Sequence, residues 1–120
     1  MSAAIVDIAT FSDADFARAF QWMINDVPFD FTGFDLLMMV RREPEDAEVF
    51  ISLSSIDDNG ILFQPDEAGN PTTFNIYITR EQTAAMPPGT YVHSLILLRP
   101  DGLRDDIWRG TLTHAIGPTR

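Results

Sequence analysis

Between Phe74 and Leu98 the chain alternates, turns and alternates again. Phe74, Ile76 and Ile78 interleave with Asn75, Tyr77 and Thr79, the period-2 signature of a half-buried strand. Glu81 to Met86 holds good helix formers but is too short to stand alone, so the pattern predicts one short helical turn near residues 80–86. Pro87-Pro88-Gly89 ends that turn. Thr90 to Leu98 then carries apolar residues on both faces, which predicts a central strand covered on two sides.

The same alternation recurs on either side. Phe16 to Ile24 places Phe20, Trp22 and Ile24 on one face and predicts a strand, with a helix capped by Asp13 as the competing reading. Phe34 to Arg41 sets Phe34, Leu36, Met38 and Val40 against Asp35, Leu37, Met39 and Arg41, and predicts a strand whose middle is covered on both sides. Val49, Ile51 and Leu53 give the next strand. Asn59-Gly60 supplies the two positive-φ positions of a type I′ turn and predicts a hairpin returning through Ile61-Leu62-Phe63. Pro65 to Pro71 reads as a loop, Pro100-Asp101-Gly102 as a hairpin turn, and Ile107 to Ile116 as a last strand. In that strand Trp108, Gly110, Leu112, His114 and Ile116 share a face.

Seven or eight antiparallel strands with turn signals every ~8–12 residues predict an all-β sandwich. Gly89-Thr90-Tyr91 opens a buried strand just after a corner. A tyrosine there returns its hydroxyl to upstream backbone in immunoglobulin-like domains, which sharpens the expectation to that fold. Trp22 and Trp108 are the candidates for its large core aromatic. Residues 1–15 read as a leader arm or edge strand, and residues 16–120 as the sandwich domain.

Composition narrows the classes. The 120 residues suit one domain, and 45% hydrophobic content suits a globular one. A formal charge of −10 argues against nucleic-acid binding, which needs a basic surface. All eight basic residues are arginine, which fits codon bias in a GC-rich genome or, alternatively, bidentate anchors at an interface. The absence of cysteine excludes disulfides and thiolate metal sites and leans toward synthesis in the cytoplasm. Met1 to Asp7 lacks the basic and apolar regions of a secretory signal, and no apolar run reaches the ~18 residues of a membrane span.

No stretch carries a catalytic or ligand-binding motif, and the expectation is a non-enzyme with no catalytic, cofactor or metal residues. Asp57, Asp58, Asn59 and Asp66 invite calcium, but setting Gly60 at the sixth position of an EF-hand loop puts Ser55 first and Asp66 last, so turn chemistry accounts for them better. Asp101, Asp105 and Asp106 read as a solvated hairpin end. Glu43, Glu45, Asp46 and Glu48 lie in one charged loop without an aromatic sugar platform. His93 and His114 read as hydrogen-bonded structural histidines. Leu36, Leu37, Met38 and Met39 suit core filling better than an adaptable binding surface.

Three segments carry a resemblance. Phe29-Asp30-Phe31-Thr32-Gly33 precedes an apolar strand ending in Val40-Arg41-Arg42. Phe74-Asn75-Ile76-Tyr77-Ile78-Thr79 is followed by Gln82-Thr83-Ala84-Ala85-Met86 and Pro88-Gly89-Thr90-Tyr91-Val92. Leu97-Leu98-Arg99-Pro100-Asp101-Gly102 leads to Trp108-Arg109-Gly110-Thr111-Leu112-Thr113 and a closing Thr119-Arg120. Together, over about residues 20–120, they resemble the small immunoglobulin-like domains of tailed-phage virions, including the N-terminal domain of upper-baseplate proteins. Where such domains often have Tyr-Asp after the strand start, this chain has His93-Ser94, so no role of that acidic position carries over. The chain stops at Arg120, before the receptor-binding region of upper-baseplate proteins, which implies a stand-alone module.

The resemblance implies a virion structural protein of the baseplate, tail or capsid decoration, made in the bacterial host cytoplasm. It implies other virion proteins as partners and a trimer or hexamer of the chain in the particle, with neither nucleic acid nor membrane. The rival from the residues is a free-standing adhesion or ligand-binding sandwich dependent on carbohydrate or calcium.

Overall fold

A computed structural model describes residues 4–119. Met1, Ser2 and Ala3 of the expected arm, and the closing Arg120, lie outside the described residues. In chain order the strands are β1 (Ala4–Ile5), β2 (Ile8–Phe11), β3 (Phe16–Gln21), β4 (Met23–Ile24), β5 (Val27–Pro28), β6 (Asp35–Arg41) and β7 (Ile51–Ser54). After a 3-10 turn at Ile56–Asp58 come β8 (Ile61–Pro65), β9 (Pro71–Ile78), helix α1 (Arg80–Ala84), β10 (Gly89–Leu98) and β11 (Arg104–Ala115). The chain is mostly β, with 55% of it in strands.

One sheet has the order β1-β11-β10-β6-β7, with β2 also on β11; another is β3-β9-β8; β4 and β5 form a small hairpin. The two larger sheets share one core. Phe74 of β9 packs on Trp108 of β11 with ring centroids 5.7 Å apart, and Phe20 of β3 lies 4.7 Å from the same indole. Leu36, Met38, Val40, Ile61, Ile76, Ile78, Tyr91 and Leu95 are fully buried around them. Burying such side chains contributes roughly 1.5–3 kcal/mol each before chain entropy is opposed.

Several local expectations appear as read. Leu36, Met38 and Val40 face the core from β6, as do Phe74, Ile76 and Ile78 from β9. Pro100-Asp101-Gly102 joins β10 to β11 as a tight turn, closed by Gly102 N–H on the Arg99 carbonyl. The Tyr91 hydroxyl donates to the Pro87 carbonyl at the corner before β10. Of the two tryptophans Trp108 is buried, while Trp22 is half-buried against Phe29. The helical turn begins at Arg80, as expected, under a capping box formed by Thr79 and Gln82, and ends at Ala84.

Other details are corrected. The described residues form eleven strands rather than seven or eight, because the segment expected as an arm or edge strand comes as two pieces, β1 and β2, and the strand expected over residues 16–24 breaks at Trp22 into β3 and β4, with β5 pairing to β4. They are not all antiparallel, since β1 and β2 run parallel to β11 in one continuous register, Ala4 opposite Trp108 and Ile8 opposite Leu112. That edge strand is broken at Val6-Asp7, where Val6 N–H donates to the Arg109 carbonyl at 2.9 Å. The Asp7 carboxylate accepts from the Thr111 N–H and hydroxyl at 3.1 and 3.0 Å. A Cβ on Gly110 would sit 1.7 Å from the Val6 carbonyl oxygen, so the break needs glycine there.

The hairpin expected at Asn59-Gly60 does not form. β7 pairs with β6 whereas β8 pairs with β9, so the chain changes sheets at this point. The positive-φ residues are Asp57, Asp58 and Gly60, and Asn59 is not among them. The crossing delivers Ile61 into the core, opposite Ile76 of β9. Two adjacent positive-φ residues do close a hairpin at Asn25-Asp26, between β4 and β5.

Candidate docking face

The alternation that buries one face of β6, β10 and β11 leaves the other face open, which corrects the expectation that β6 and β10 are covered on both sides. Register assembles that face in rows. Ser52, Met39, Ser94 and Arg109 stand side by side, as do Ser54, Leu37, Ile96 and Asp106. Arg41 and Val92 form the next row toward one end, and Leu98 and Arg104 pair at the other. Leu37, Met39, Val92 and Ile96 are half-buried by one another rather than by a second layer.

These residues line a hollow of about 460 Å³, with Arg41, Arg104 and Arg109 at its rim. Beside it β10 and β11 slip register between Leu95 and Ile96, and both Ile107 and Trp108 are buried. Such a bulge bends its strand and raises the local twist.

The rim cations are held differently. Arg41 lies along its own strand, with one guanidinium nitrogen 3.6 Å from the Met39 sulfur and the other donating to the Asp46 carbonyl. Arg109 pairs with Asp106 at 2.8 Å. Arg104 is exposed and has no ion-pair partner among the described residues. Three of the eight basic residues of a −10 chain thus surround one apolar floor.

The residues singled out from the sequence are dispersed. Asp57 and Asp58 sit at the start of β8 and Asp66 beyond its end, so a five-residue strand of roughly 17 Å separates them. The Asp66 carboxylate accepts from Ala68 and Asn70 N–H and closes the β8–β9 turn. Asp101 and Asp105 share Arg99, at 2.8 and 3.6 Å. Asp46 accepts from the Glu43 N–H at 3.1 Å within its loop, and Glu43, Glu45 and Glu48 are exposed. Among the described residues no group of three or more His, Asp or Glu side chains is placed to hold a metal ion.

His93 and His114 both lie buried on the core side of their strands. The Trp108 indole N–H donates to His93 Nδ1 at 3.2 Å, and Thr10 Oγ1 lies 2.8 Å from His114 Nδ1. Nε2 of each ring lacks a hydrogen-bond partner. Burial holds the His93 imidazole below the ordinary histidine range. The backbone of Thr111 and Val6 and the Asp7 carboxylate offset this only in part.

Sequence reasoning missed the hollow because apolar residues on both faces of a strand suggest two buried faces. The usable signal is the arginines: Arg41 ends β6, and Arg104 and Arg109 lie on β11, so they flank the two strands, β6 and β10, whose outward positions are apolar. Leu37 and Met39 line this hollow, while Leu36 and Met38 fill the core.

Among protein-family models none matches this chain, and among curated proteins none is similar to it. No described helix is long and apolar enough to cross a membrane.

Proposed function

We propose that the chain is an immunoglobulin-like β-sandwich that serves as a non-enzymatic structural component of a tailed-phage virion, docking other virion proteins. The observation that carries this reading is the strand order. Taking β3, β6, β7, β8, β9, β10 and β11 as B, C, C′, D, E, F and G sets B-E-D against G-F-C-C′, the two sheets of an immunoglobulin-like domain. The Tyr91 bond to Pro87 then falls at the E–F corner, where that fold has its tyrosine.

The assembly role draws on the sequence resemblance and on where the polar groups go. The candidate histidines and acidic clusters are engaged in turns, ion pairs and core hydrogen bonds. What the molecule offers outward is an apolar sheet face with an arginine rim.

Quantitative mass spectrometry of phage particles from cultures carrying the gene tests the role. The expected result is the chain in purified particles, at a copy number that is a multiple of three or six. Its absence from particles overturns the reading. Melting with added calcium and with chelator separates the adhesion rival, since a ligand at 100 times its Kd adds about 2.7 kcal/mol. Identical curves are expected.

A further inference from the structure

From the shape and charge of two separate surfaces we infer that the open face binds the β4–β5 hairpin of a second copy of this chain, head to tail. The inference rests on the assembly reading and names the partner of its docking face. The hairpin is a small two-stranded sheet separate from both large sheets. Met23 and Val27 are 49% and 62% exposed, so apolar surface is bare near its tip. Asp26 stands at that tip, held by positive φ at both Asn25 and Asp26. Such a two-residue turn is preorganised, which limits the entropy lost on docking.

The hollow has the complementary properties. Its floor is Leu37, Met39, Val92 and Ile96, and Arg104 on its rim is a cation with no ion-pair partner among the described residues. Asp26 likewise has none. No hairpin residue lines the hollow of its own chain. In an acidic chain most surfaces repel one another, and a face with three arginines is where an acidic apolar tip of another copy meets opposite charge. Because the two surfaces differ, the contact is heterologous and generates a ring when the rotation closes and a filament when it does not.

Two kinds of substitution block the two surfaces separately. Val27→Lys spoils the hairpin, replacing its apolar contact with a cation that the rim arginines repel. Arg104→Glu reverses the rim, and Ser94→Trp fills the hollow should the charge variant fail to fold. Light scattering of the wild-type chain up to about 1 mM is expected to show a mass above the monomer. Each variant alone is expected to be monomeric with a circular dichroism spectrum like that of the wild type. An equimolar mixture of the hairpin variant and a hollow variant is expected to give a heterodimer and nothing larger, since one intact hairpin and one intact hollow remain. A monomeric wild type, an oligomer that survives in the variants, or a mixture of folded variants that stays monomeric overturns the inference. Any of these leaves the virion reading standing if particles contain the chain. Particles that lack it remove that reading whatever the scattering shows.

Discussion

Trp108 donates its indole N–H to Nδ1 of His93, so the neutral ring carries its own proton on Nε2, the nitrogen without an acceptor. Charging the ring puts a proton on Nδ1 and removes the acceptor that Trp108 uses. Burial acts in the same direction and keeps the folded pKa below the unfolded value near 6.5. As pH falls, the unfolded chain therefore takes up this proton first. The stability tied to a neutral His93 is whole above pH 6.5 and declines below it, until the folded ring also charges. Asp7 and Asp30 are held below the ordinary carboxylate range by their hydrogen bonds to Thr111 and Thr32, so they respond only at lower pH. Urea midpoints at about pH 7.5 and 5.5 are expected to fall toward acid in the wild type and to fall less in His93→Phe. Equal slopes in the two proteins would remove His93 as the cause.

At the scale of the element, the N-terminal strand closes the edge of the larger sheet. Ile8 is buried on the core side, Thr10 meets His114, and Ser12 and Asp13 hold the backbone of Gly117 and Thr119. Deleting residues 2–11 exposes the β11 edge and removes Ile8, whose burial alone is worth about 1.5–3 kcal/mol. A loss of at least that size in urea unfolding is expected, partly restored by a synthetic peptide of residues 1–12, since strand addition to an open edge needs no covalent link. Unchanged stability on deletion would mean that the strand does not hold this edge. This strand also marks where sequence reasoning stops. The alternation of β6, β9, β10 and β11 is legible because each buries one face, and Tyr91 and Pro100-Asp101-Gly102 are legible because corners demand particular chemistry. Parallel pairing to β11 leaves no local trace, and its glycine, Gly110, looks like any other until Val6 is seen above it. Asn59-Gly60 misleads because a turn preference cannot tell a return within one sheet from a passage to another. The hollow was illegible for a related reason, since half-burial by neighbours in a sheet and burial under a second layer leave the same apolar residues in the sequence.

At the scale of the whole molecule, 18 carboxylates face 8 arginines, and the described ion pairs, Arg99 with Asp101 and Asp105 and Arg109 with Asp106, lie at the surface. Exposed pairs of this kind contribute little, about 0–1 kcal/mol. The excess negative charge is therefore opposed by few strong attractions, and self-repulsion is the larger electrostatic contribution to stability. Salt shortens the reach of that repulsion from about 30 Å at 0.01 M to under 10 Å at 0.15 M, while hydrophobic burial is barely affected. The melting temperature of dilute, monomeric protein at pH 7.5 is expected to rise by a few degrees between these conditions, a change of about 1 kcal/mol in a domain of this size. A fall would show that the arginine pairs outweigh the repulsion. The same field acts between copies, where it opposes every approach except one that brings acidic residues to the arginine rim. On the inferred head-to-tail contact, surplus charge and clustered arginines would act together, holding the copies apart except where the open face meets a complementary surface.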